Sequence, residues 1–221
     1  MLHYLQNLWM ALDLSSLTDA LLRVAAVFLC LTVHETCHGI AALALGDPTA
    51  KSMHRLSLNP LRHIDWFGLA MMFAAGFGWA KPVPVNPNYF KNPKRGMAIT
   101  ALAGPISNLL LAVLMLFVCK AIYLYVPYSD NVQVIFSWLI GTVVPLSIGL
   151  GLFNLIPFPP LDGSKVAAVL LPDHAYIFLM RYERYGIVVL LALSVLGFSG
   201  GILSTFIFRV YRFLLNLFFE V

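Results

Sequence analysis

Four stretches of this chain, at about residues 17–45, 97–126, 132–156 and 186–208, are long, apolar and sparing of charge. A helix needs about twenty such residues to cross the hydrocarbon of a bilayer. No water is there to satisfy backbone N–H and C=O groups, and a helix pairs them within one segment. The remainder of the chain does not offset these runs: it is 60% hydrophobic and 11% charged overall, where a soluble domain carries about 25% charged residues. Too little polar side chain exists to wrap a water-soluble globule. The expectation is an all-α polytopic membrane protein, with about four to six transmembrane helices in one membrane-embedded domain over residues 1–221.

Between the first two passes the pattern changes. Trp66 to Ala80 is apolar but only about fifteen residues long, and it holds Gly68, Gly76 and Gly78. Lys81-Pro82-Val83-Pro84-Val85-Asn86-Pro87 follows, where proline forbids helix and favours an extended edge. The stretch near 66–86 reads as a re-entrant or strand-like membrane-associated segment. Leu2, Leu5, Leu8, Trp9 and Leu12 recur at helical spacing and suit a short interfacial helix. That region lacks a basic stretch and a small-residue cleavage site, so it does not read as a signal peptide.

Charge sets the orientation. The net charge of +4 comes from basic residues at the ends of apolar runs, which suits a bilayer far better than a nucleic acid. Lys51, Arg55, Arg62, Lys91, Lys94 and Arg95 cluster between the first and second passes, and the loop Pro127 to Asn131 has no Lys or Arg. The positive-inside rule then brings the first and third passes down to the cytoplasm. His34, His38, Asn108 and Asp162 fall in that same half of the membrane, which in a bacterium would be the plasma membrane.

His34-Glu35-Thr36-Cys37-His38 lies inside the first pass. On a helix the two histidines sit one turn apart on one face. Imidazoles so spaced can grip one divalent metal, with the intervening Glu35 placed to take a proton from metal-bound water. A catalytic zinc needs a third protein ligand, and Asp162 is the best candidate. It follows a helix broken by Pro157, Pro159 and Pro160, at a depth where a carboxylate needs a cation; a helix-capping role is the competing reading. One zinc position would stay open for water, whose pKa would fall towards about 7. Asn108, in the first turn after Pro105, could donate its amide to the tetrahedral oxyanion or bridge two helices.

Other residues carry less. Cys30, Cys37 and Cys119 are odd in number and form no CxxC pair, so no disulfide framework is expected. Cys37 reads as a small packed side chain. His63 reads as interfacial among basic neighbours, and His54 lies nearer the expected mouth of the site; His3 and His174 belong to no constellation. Two other functions fit intramembrane His and Glu. One is a multipass transporter or channel using them as a proton or ion relay, against which stand few passes and no inverted repeat. The other is a metal-holding scaffold, which would not need Glu35.

At this point the chain resembles the site-2 protease family of intramembrane zinc metalloproteases. His34-Glu35-Thr36-Cys37-His38 looks like the family's HExxH, and Gly104-Pro105-Ile106-Ser107-Asn108 is similar to its GPxxN. Asn154-Leu155-Ile156-Pro157 followed by Leu161-Asp162-Gly163 looks like its NxxPxxxLDG. The resemblance implies one zinc bound by His34, His38 and Asp162, Glu35 as acid/base, Asn108 at the active site and Asn154 close by. It implies a transmembrane protein as substrate, in the lipid bilayer, with Lys81 to Asn86 as an edge strand able to hold an unwound substrate by backbone pairing. No stretch is long and polar enough for the PDZ or CBS domain of many relatives, so the chain looks like a minimal member.

Overall fold

The computed structural model describes residues 17–68, 80–195 and 201–219. The expected interfacial helix at the start of the chain, and residues 69–79 of the expected re-entrant or strand-like segment, lie outside them. The described part is helical, with no strand among the described residues.

Helix α1 (Leu17–Ala44) carries the histidine pair. It stops where Gly46 takes φ 104°, a left-handed conformation that glycine adopts without steric cost. Asp47 N–H then reaches back to the Ala42 carbonyl at 2.9 Å, satisfying one of the carbonyls the helix end orphans. A single turn, α2 (Thr49–Ser52), follows. Helix α3 (Pro93–Tyr125) begins with the Asn92 side chain accepting from Arg95 N–H and proline in its first turn, both strong start signals. Pro105 lies inside it and withholds one backbone donor.

The expected third pass is one span, Asp130–Asn154, built in three parts. Helix α4 (Asp130–Trp138) runs through a π-helical turn at Leu139–Val143 into α5 (Val144–Asn154). Pro145 explains the wide turn: it has no N–H to return to the preceding turn, so the ladder is widened just before it. Helix α6 (Asp162–Ala167) is short, and two longer helices end the fold, α7 (Asp173–Val195) and α8 (Gly201–Phe219).

Here the expected bounds need correction. The fourth pass was expected at about 186–208, of which residues 196–200 lie outside the described residues. Among the described residues, the fourth helix long and apolar enough to cross a membrane is Gly201–Phe219, so Arg209 and Arg212 lie within a helix of membrane-spanning length and not in a tail.

Helix α3 is the centre of the bundle, packed against α1, α5, α6 and α8. Two apolar clusters grip its second half. Ala26, Cys30, Leu111, Cys119, Leu139 and Val143 join α1 and the π-helical turn to it. Ala112, Leu116, Val144, Ile148, Ile207 and Phe218 join α5 and α8. Higher up, a Cβ on Gly151 of α5 would lie 3.0 Å from the Pro105 carbonyl oxygen, so a small residue sets the close approach of these helices.

Candidate metal centre

On α1, residues 26, 30, 34, 38 and 42 form one buried stripe at four-residue spacing. Its two polar members are His34 and His38. Across from them α3 presents Thr100, Gly104 and Asn108, also four apart and buried. Gly104 lets the two stripes close: a Cβ there would lie 2.5 Å from His38 Nε2 and 2.7 Å from His34 Cε1. The two rings meet at 90°, with centroids 4.6 Å apart.

Asp162 completes the group from 128 residues away. Its approach depends on Gly163, whose missing side chain leaves room for the Leu155 and Ile156 carbonyls at the end of α5. Asp162 Oδ2 lies 3.1 Å from His34 Nε2 and 3.2 Å from His38 Nε2. A tetrahedral zinc with bonds of about 2.0–2.1 Å spaces its ligands by roughly 3.3–3.4 Å, so the donor atoms stand close to coordinating geometry. This is the one group of three His, Cys, Asp or Glu side chains able to hold a metal among the described residues.

A metal ligand must offer a lone pair, so the far nitrogen of each ring has to carry the proton. His38 Nδ1 donates to the Thr100 carbonyl at 2.7 Å, which leaves Nε2 free. His34 Nδ1 lies 3.3 Å from the Asn108 amide nitrogen, while Asn108 Oδ1 is buried without a partner among the described residues. A half-turn of that amide pairs Oδ1 with His34 Nδ1–H and frees His34 Nε2 in the same way. The residues therefore fit a divalent cation held by two imidazoles and a carboxylate.

Glu35, the next residue of α1, sits about 100° round the helix from His34. Its Oε2 accepts a hydrogen bond from Val83 N–H at 2.8 Å. Asn108 is fully buried, against His34 on the side of the ring opposite Asp162, and its carbonyl accepts from Ser147 Oγ at 2.7 Å. Asn154 gives its amide N–H to the Leu150 carbonyl, one turn back in α5. His63, expected at the interface, is instead buried with its ring nitrogen 2.7 Å from the Ser57 carbonyl. His54 is exposed at φ 54°; neither histidine belongs to the metal group. Cys37 is a free, half-buried thiol outside it. Sequence reasoning missed Thr100 and the steric role of Gly104. The signal was available in the spacing 100, 104, 108, one face of α3 ending at Asn108.

No family model and no solved structure matches the chain. Among curated proteins it is 37% identical over 186 residues to one from Bacillus subtilis named "Putative zinc metalloprotease YwhC", covering 81% of this chain and 83% of that one. It is 26% identical over 196 residues to "Putative zinc metalloprotease Rip2" of Mycolicibacterium smegmatis, 85% of this chain and 73% of the relative. The Mycobacterium tuberculosis protein of the same name is 26% identical over 200 residues, 88% of this chain and 73% of its own length.

Proposed function

The chain belongs to the site-2 protease family of intramembrane zinc metalloproteases, and from that premise we propose that it hydrolyses peptide bonds within or near the transmembrane segments of other membrane proteins. The observation that carries this reading is the convergence of His34, His38 and Asp162, with Glu35 beside them, on helices long and apolar enough to cross a bilayer. A relay for ions does not need three donor atoms at ligand spacing.

Zinc suits two nitrogens and one carboxylate oxygen with a fourth position open, and we assign one ion per chain. When bound it supplies Lewis acidity, polarising a carbonyl and making water a nucleophile near neutral pH. The side chains do the rest. Glu35 takes the proton of the attacking water and returns it to the leaving nitrogen. The Thr100 carbonyl and the Asn108 amide hold the rings of His38 and His34 in the ligating tautomer, so Asn108 works through His34 and the oxyanion role is not needed to account for it. At 1.5 Å per residue, His38 and His34 lie about 9 and 15 Å from the Ala44 end of α1. That end adjoins the basic loops, which supports a site in the cytoplasmic half of a bacterial plasma membrane.

The test uses purified protein in proteoliposomes with an internally quenched transmembrane peptide carrying a glycine break. Wild type is expected to bind one zinc and cut the peptide, and chelation to abolish cutting. Glu35→Gln is expected to keep zinc and cut about 10³-fold more slowly. Asp162→Ala and His38→Ala are expected to lose zinc. Undiminished cutting by Glu35→Gln would refute the mechanism.

A further inference from the structure

The segment Lys81 to Pro87 is strapped to the protein by its own backbone. Pro82, Pro84 and Pro87 have no N–H to give, and each pushes the residue before it towards extended geometry. Those three preceding residues are the ones that donate. Lys81 N–H bonds the His63 carbonyl at 2.9 Å, Val83 N–H bonds Glu35 Oε2 at 2.8 Å, and Asn86 N–H bonds Asp47 Oδ2 at 2.7 Å. Arg55 Nη2 holds the near end through the Lys81 carbonyl at 2.8 Å. Asp47, fully buried in the turn after α1, holds the far end.

A second contact fixes the register. Gly39 lies one helical turn after Glu35 on the same face of α1. A Cβ there would lie 3.3 Å from Val83 Cγ1 and 2.9 Å from Leu56 Cδ1. The buried Val83 side chain thus docks over Gly39 while its N–H docks on Glu35.

Neighbouring residues of an extended chain present their N–H groups to opposite edges. One edge here carries Val83, already bonded to Glu35. The other carries Pro82 and Pro84, which have no N–H to donate, and the Pro82 carbonyl already accepts from Arg55 Nη2 at 3.3 Å. A substrate pairing with that outer edge would meet a ladder missing its donors at both positions. Such a segment is poorly made to hold a substrate strand and well made to aim one N–H at one carboxylate.

We propose that the Val83 backbone N–H is a positioning group for Glu35: it occupies Oε2 and leaves Oε1 to handle the proton in hydrolysis. This rests on the hydrolase reading above. Side-chain changes at 83 cannot imitate its loss, because every residue except proline supplies the same N–H.

The experiment replaces that donor. Valine 83 is exchanged for its α-hydroxy acid by nonsense suppression, turning the amide into an ester, and Val83→Pro and Val83→Ala are made beside it. Zinc content, kcat and KM on the quenched transmembrane peptide are measured. The Glu35 carboxylate stretch is read in the metal-free protein by infrared difference against Glu35→Gln. The ester and Val83→Pro are expected to shift that band and to lower kcat about tenfold or more, with KM and zinc content unchanged; Val83→Ala leaves the band in place. An unmoved band, an unchanged kcat, a rise in KM alone, or loss of zinc would each overturn the proposal, the third by making the strap a substrate holder. Should Val83→Pro misfold, the ester still decides the matter. A wild type that does not cut the peptide removes the hydrolase reading and this proposal with it; failure of the proposal alone leaves wild-type cutting intact.

Discussion

The two ends of the α1–α3 pair are built on different principles. At the end nearer the basic loops, the facing stripes are His34 and His38 against Thr100, Gly104 and Asn108. Nearly every contact there is polar and specific: a ring nitrogen to a carbonyl, a ring to an amide, a carboxylate to two imidazoles. At the other end, Ala26 and Cys30 meet Leu111, Cys119 and the π-helical turn. Few polar links cross there, among them the Trp138 indole N–H to the Leu22 carbonyl at 2.7 Å. The contrast follows from the solvent. Lipid tails are as apolar as leucine, so an apolar contact gains its strength from packing and tolerates many side chains. A polar group at the same depth has no water to fall back on and needs one particular partner.

Substitutions at the two ends can break or sharpen that contrast. Gly104→Ala is expected to have the largest effect. Its Cβ would meet both imidazoles, and zinc affinity should fall about 100-fold or more, at or beyond the top of the range for changes that act through a ligand's neighbours. Helix propensity moves the other way, favouring alanine by about 1 kcal/mol. A metal titration beside a thermal melt should therefore show lost zinc in a fold no less stable. Leu116→Ala, at the apolar end and fully buried, is expected to cost about 2 kcal/mol of stability, the low end of the Leu→Ala range because the reference solvent is lipid. Its zinc affinity and peptide cutting should match wild type. Equal zinc loss in both variants would mean that the two ends are one cooperative unit and the contrast is false. The smallest effect belongs to Trp138→Phe, which removes one N–H donor and should lower the melting free energy by about 1 kcal/mol, again with zinc retained.

How much of this was legible beforehand divides along the same line. The candidate ligands His34, His38 and Asp162 were readable because chemistry restricts metal ligands to few residue types, and the helical period joins the first two. Three of the four spans were placed within a few residues. The fourth was expected at 186–208, whereas the described helix of spanning length there is Gly201–Phe219. His63 was misjudged because its basic neighbours looked like an interface, whereas its ring turns inward to the Ser57 carbonyl. The Lys81 to Asn86 stretch was read correctly as non-helical. Which of its N–H groups faces Glu35 depended on where Gly39 and Asp47 lie in space.

The sequence by itself determined that this chain lives in helices of membrane-spanning length, that it carries a histidine pair one turn apart, and that its candidate site residues are His, Glu and Asp. Apolar length and helical period are local properties, and a side chain announces its own donors. Tertiary structure alone decided that Asp162 closes on both imidazoles, that the Thr100 carbonyl and the Asn108 amide back them, that Gly104 makes the room, and that Val83 lends its N–H to Glu35. Most of those are contacts of backbone atoms or of an absent side chain. Every residue but proline carries the same N–H and C=O, so nothing in the lettering of a chain says which of them will be used.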